Sequence, residues 1–125
     1  MTPPVAAHQG QPDASWIIEA YLRLPDTPRR ARYQDQLLAA RLQERGVPEL
    51  IVEAAFLLAT LRRINRPHDA EPLAPIRSLR YFLPVIEELL RRPPAASYLI
   101  YLRQTVGRIL ARPPGDDGSK LITFT

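Results

Sequence analysis

Apolar residues return at helical spacing in five blocks, and prolines and one glycine separate the blocks. In ASWIIEAYLRL, Trp16, Ile17, Ala20, Tyr21 and Leu24 share one face, the pattern of an amphipathic helix. Asp13 or Ser15 is placed to cap it, and PDTP ends it. In RRARYQDQLLAARLQER, Tyr33, Leu37, Leu38, Ala40 and Leu42 predict an apolar side. Gly46 follows as a C-terminal stop, because glycine accepts a left-handed backbone. Pro48 then fits the first turn of a third helix, where its missing N–H costs nothing.

That third block, PELIVEAAFLLATLRRI, is apolar almost all round through Leu50, Ile51, Ala54, Ala55, Leu57, Leu58 and Leu61. A helix of this kind is the buried centre of its domain. Glu49 and Glu53 near its start and Arg62 and Arg63 at its end complement the helix dipole. After the proline loop NRPHDAEPLAP comes PIRSLRYFLPVIEELLRRPP. Here Pro84 has two readings. It begins a helix in the favoured first turn after a short SLRYF turn, or it kinks one continuous helix at about 3 kcal/mol. Both readings put Leu79, Phe82, Ile86 and Leu89 in the core. The fifth block, AASYLIYLRQTVGRILAR, sets Tyr98, Leu102, Val106 and Ile109 on a stripe, weakened by roughly 1 kcal/mol at Gly107.

The expected fold is therefore all-α, a compact bundle of about five helices with a buried central third helix. Residues 1–12 are expected to form a flexible arm, 13–112 a single helical domain, and 113–125 a flexible tail in which LITFT stays irregular. A chain of 125 residues supports one modest core and not two.

Composition narrows the chemistry. The absence of cysteine excludes disulfides, thiolate catalysis and cysteine-based zinc sites. No uncharged apolar run is long enough for a membrane span, and the N-terminus lacks the basic start and apolar core of a secretory signal. A bacterial protein of the cytoplasm is the expectation. The net charge is +4, and Lys120 is the only lysine. Arginine forks match phosphates and guanine edges better than ammonium groups do, although a GC-rich genome produces the same usage.

No catalytic, cofactor or metal constellation emerges. His8 falls in the arm, and His68 stands with Asp69 and Glu71 in the proline loop, without a second histidine to complete a ligand set. Glu87 and Glu88 are adjacent, so on a helix they diverge by about 100°; pairing with Arg91 or Arg92 is their expected role. Ser15, Ser78, Ser97 and Ser119 lack a nucleophile context, and Ser78 reads as a helix cap. The chain is not expected to be an enzyme. LLAARLQERGVPELIVEAAF has the helix, glycine turn and helix of a helix-turn-helix. Its second helix, however, opens with Glu49 and Glu53 and is otherwise apolar, so an ordinary helical hairpin fits better.

The arginines gather at helix ends: Arg29, Arg30 and Arg32 before the second helix, Arg62, Arg63 and Arg66 at the end of the third, and Arg77, Arg80, Arg91 and Arg92 around the fourth. Arg103, Arg108 and Arg112 lie on the fifth. Helix ends meeting at one edge, beside Tyr81, Tyr98 or Tyr101, would form a surface for bases and phosphates. The candidate nucleic-acid-binding set is Arg62, Arg63, Arg77, Arg80, Tyr81, Arg91, Arg92 and Arg103. The competing arrangement spreads the arginines over solvated faces.

From the glycine turn onward, LQERGVPELIVEAAFLLATLRRI supplies Leu50, Ile51 and Ala54, and SLRYFLPVIEEL supplies Tyr81, Val85 and Leu89 at four-residue steps. This order resembles the C-terminal helical domain of DnaD/DnaB-type primosome proteins over residues 33–92. Leu89 stands where that family has tryptophan, and Pro84 interrupts the helix. The resemblance implies DNA binding in replication initiation, with contacts near Tyr81 and the segment after helix four. The chain also resembles small uncharacterised proteins of bacterial genomes and mobile elements. The expected function is a non-enzymatic DNA-binding or replication-accessory domain acting on single- or double-stranded DNA. The alternative is a protein-interaction module, with a homodimer as one form, that binds no nucleic acid.

Overall fold

The computed structural model describes residues 14–67 and 69–111. Over them the chain is all-α: α1 (Ser15–Leu22), α2 (Tyr33–Glu44), α3 (Glu49–Ile64), a 3-10 turn (Leu79–Phe82), α4 (Leu83–Arg91) and α5 (Ala96–Leu110). The arm expected over 1–12, the Asp13 cap, His8, His68, Arg112 and the tail with LITFT lie outside the described residues. The chain divides at Pro94 into two units, 1–94 and 95–125. Helices α1 to α4 belong to the first and α5 to the second. None of the described helices is long and apolar enough to cross a membrane.

In the first unit α3 is the buried centre. Ile51, Val52, Ala54, Ala55, Phe56, Leu58, Ala59, Thr60 and Leu61 are all buried, and Thr60 satisfies its hydroxyl by donating to the Phe56 carbonyl at 2.8 Å. Leu50, expected on the core side, is exposed. Gly46 ends α2 at φ +74°. There the Val47 N–H donates to the Leu42 carbonyl at 3.1 Å and the Gly46 N–H to the Gln43 carbonyl at 3.0 Å, a Schellman cap that absorbs carbonyls the helix leaves over. Pro84 lies in the first turn of α4, after the separate 3-10 turn. The proline thus starts a helix and does not kink one. Leu79, Phe82, Ile86 and Leu89 are all buried, as both readings required.

Phe82 is the aromatic hub. Its ring meets Tyr21 edge-on at 6.0 Å, Phe56 at 5.0 Å and Tyr81 at 5.1 Å, separations at which aromatic pairs add to their burial. The face of α1 is centred on Ile17, Ile18 and Tyr21, one residue round from the expected stripe, with Trp16 only partly covered. On α5 the buried stripe is Leu99, Leu102 and Val106. Tyr98 is exposed and stacks on Tyr101 at 5.9 Å. The i, i+3, i+7 rhythm from Leu99 keeps a tighter face than one beginning at Tyr98.

The Tyr21 hydroxyl is buried and makes no hydrogen bond within the described residues. An unpaired buried hydroxyl costs about 1–3 kcal/mol, so Tyr21→Phe is expected to raise the melting temperature. Burial pushes the Tyr21 pKa up to about 12, Asp35 adds to the rise and Arg32 opposes it. The unfolded chain therefore loses this proton near the ordinary value of 10.0, while the folded chain keeps it to about 12. Stability contributed by the neutral phenol is full below pH 10 and falls as pH rises through that window, by roughly 2–3 kcal/mol. Chemical denaturation at pH 8 and pH 11 should show a smaller alkaline loss in Tyr21→Phe than in the wild type.

Candidate nucleic-acid interface

The sequence placed Tyr33, Leu37 and Leu38 on the inner side of α2, but the helix is turned otherwise. Tyr33 is 75% exposed and Leu37 is also exposed. The buried positions are Asp35, Ala39 and Leu42, one face at i, i+4 and i+7. Asp35 is 2% exposed, and its carboxylate does two jobs. Oδ2 accepts the Arg32 backbone N–H at 2.9 Å, as an acid at the third helical position does in a capping box. Oδ1 accepts the Leu79 backbone N–H, also at 2.9 Å, which caps the 3-10 turn. The residue expected as that cap, Ser78, occupies the cap position but makes no side-chain capping bond.

A second pin lies upstream. Asp26 adopts φ +67°, a left-handed conformation that aspartate tolerates better than most residues. Its carbonyl accepts the Ile76 N–H at 2.9 Å. The segment 26–35 is therefore fastened to the segment 76–79 at both ends. Arg29, Arg30 and Arg32 lie on the first strip and Arg77 and Arg80 on or beside the second, and all five are exposed. Across residues 26–35 and 73–82 the acids are Asp26, which is paired with Arg63, and the buried Asp35. The first three arginines also stand ahead of the N-terminus of α2, where the dipole disfavours cations. Stability does not explain them there.

Three of the other expected site residues, Arg62, Arg63 and Tyr81, are engaged within the protein. The Arg63 side chain is only 10% exposed. It donates to Tyr81 Oη at 3.1 Å, Asp26 Oδ2 at 3.0 Å and the Ala74 carbonyl at 3.2 Å, and it lies 5.4 Å from the centroid of the Tyr81 ring. Burial works to lower its pKa, but the hydrogen bonds and charges of Tyr81 and Asp26 outweigh it and raise the value further above that of free arginine. Arg63 and Tyr81 thus brace the proline loop. Arg62 grips Glu88 through two bonds of 3.1 and 2.8 Å, which holds the Glu88 carboxyl below its ordinary pKa, with Arg91 a smaller influence. Arg45 pairs with Glu87 at 3.0 Å. These tertiary partners from α2 and α3 replace the expected i,i+4 pairing with Arg91 and Arg92. Arg91 and Arg92 sit at the far end of α4, about 13 Å along the helix from its start. Arg103 belongs to the second unit.

Two hollows matter to this surface. The larger, of 490 Å³, lies under the proline loop and includes Arg63 and Arg66. Arg63 has its contacts inside the protein, and Arg66 donates to the Glu71 carbonyl at 2.6 Å. The smaller borders the arginine edge. Among the described residues no group of three or more histidine, aspartate or glutamate side chains could hold a metal ion.

Of the expected set, Arg77, Arg80, Arg91, Arg92 and Arg103 are exposed cations, and of these Arg77 and Arg80 stand on the strip fastened to Arg29, Arg30 and Arg32. The available signal was cations stacked ahead of a helix N-terminus, followed by an acid three residues after Arg32. The pairing of that strip with residues 76–79 spans 44 positions and leaves no periodic trace. Compared with known proteins, the chain matches no family model, no curated protein and no solved structure.

Proposed function

We propose that this protein is a non-enzymatic DNA-binding domain, of a replication-accessory kind, that holds phosphates along the edge formed by Arg29, Arg30, Arg32, Arg77 and Arg80. The observation that carries the reading is the pair of pins at Asp26 and Asp35, which hold two arginine-bearing segments side by side. Cations concentrated where one acid, Asp35, is buried and the other, Asp26, is paired with Arg63 raise the local attraction for a polyanion. The resemblance of residues 33–92 to DnaD/DnaB-type domains also implies DNA binding, with contacts near Tyr81, beside this strip, and in the segment after helix four.

The test is a salt series. Binding of labelled DNA should weaken linearly in log–log form as salt rises, with a slope that counts the phosphates neutralised. Absence of binding at low salt removes the reading. A second reading, a protein-binding or self-associating module, draws on Tyr98, Ile100, Tyr101 and Leu110 of α5, all large, apolar and exposed. A dimer mass in solution together with no DNA affinity would favour it.

A further inference from the structure

Beside the arginine edge lies a hollow of 370 Å³ lined by Gln34, Asp35, Leu38, Ser78 and Arg80. Its walls carry different chemistry. Leu38 supplies an apolar side. Gln34 supplies an amide that both donates and accepts, Ser78 a hydroxyl not spent on capping, and Arg80 a planar guanidinium. The Asp35 carboxylate borders it as well, and its negative charge opposes entry of a phosphate. The occupant that fits these walls is a neutral planar ring with hydrogen-bonding edges, while its phosphates remain outside on the arginines.

A base inside a duplex is stacked and paired and cannot enter such a hollow unless it is extruded. A base of a single strand can turn in freely, and single-strand binders combine a basic track with aromatic stacking platforms. Tyr33, 75% exposed and next to Arg32 in the chain, offers a ring on the edge itself, about 100° round α2 from Gln34 and outside the lining of the hollow. We infer that the hollow is a nucleobase subsite and that the arginine edge therefore selects single-stranded DNA over duplex. This inference rests on the nucleic-acid reading above and adds the strandedness of the ligand.

Three probes separate the two ideas: a thymidylate oligomer of about 16 nucleotides, an abasic oligomer of the same length and charge, and a duplex of that length. The expected result is that thymidylate binds the full chain about ten-fold more tightly than the abasic strand. The double variant Gln34→Ala/Ser78→Ala should bring thymidylate down to the abasic level and leave the salt slope unchanged. Circular dichroism and melting confirm that the variant is folded; Gln34→Ala alone, at an exposed position of the lining, gives a second, smaller loss of the same kind. Equal binding of thymidylate and abasic strands, tighter binding of duplex, or no effect of the variants would overturn the subsite while leaving a phosphate-binding edge. Failure of all three probes to bind at low salt would remove the nucleic-acid reading itself.

Discussion

Asp35→Ala is expected to cost about 3–5 kcal/mol of folding stability, because hydrogen bonds to a charged group contribute about 1.5–3 kcal/mol each and this carboxylate accepts two. Both donors are backbone N–H groups, and the Leu79 bond is buried. Alanine cannot replace either bond and also leaves a gap at a position that is 2% exposed. A loss of that size is a large share of the 5–15 kcal/mol that small domains possess. It should lower the melting temperature by about 15–25 °C. Asp35→Asn keeps one acceptor but turns an NH2 toward the other donor, so its loss should fall between wild type and alanine. Urea denaturation of the three proteins gives the ranking. A loss under about 1 kcal/mol in the alanine variant would show that the two segments hold together without the carboxylate.

Charge reversal at Arg77 and Arg80 together is expected to weaken DNA binding by about 100-fold at low salt, with the fold intact. Two phosphate contacts vanish and two repulsions appear, so the salt slope should drop by about 1.4 for a single strand. Neither guanidinium has a hydrogen bond or ion pair among the described residues, so stability should stay within about 0.5 kcal/mol. Arg29→Glu/Arg30→Glu should produce a similar loss, since the pins place those residues on the same edge. At about 0.15 M salt, where charges are screened over about 8 Å, Arg91→Glu/Arg92→Glu, about 13 Å from the start of α4, should change affinity by no more than about three-fold. If the Arg77 and Arg80 reversals leave binding unchanged while the Arg91 and Arg92 reversals abolish it, the interface lies at the other end of α4.

These two experiments act on different kinds of information. The arginines were visible as a list, but their usefulness was not. Arg63 looked as available as Arg77 in the sequence. It is taken up because Tyr81 lies 18 residues on and Asp26 lies 37 back. Arg62 likewise meets Glu88, 26 residues away. Charge pairing at such separations leaves no local pattern, and whether a cation is free depends on it.

The sequence by itself determined the helices and most of the core. Apolar spacing is a local property of a 3.6-residue repeat, so α3 was legible as the centre, and Leu79, Phe82, Ile86 and Leu89 as the inner side of the turn and α4. Gly46 marks a helix end by backbone sterics alone, whereas Pro84 was open between a helix start and a kink until the structure placed it in the first turn of α4. Tertiary structure decided the facing of α2, because the deciding residue was polar. A pattern of apolar positions turns Tyr33 and Leu37 inward; the buried carboxylate of Asp35 turns them outward, since two backbone donors compensate its loss of water. The same carboxylate brings residues 32 and 79 together. That contact sets which arginines share an edge, and it arises only when the chain is folded.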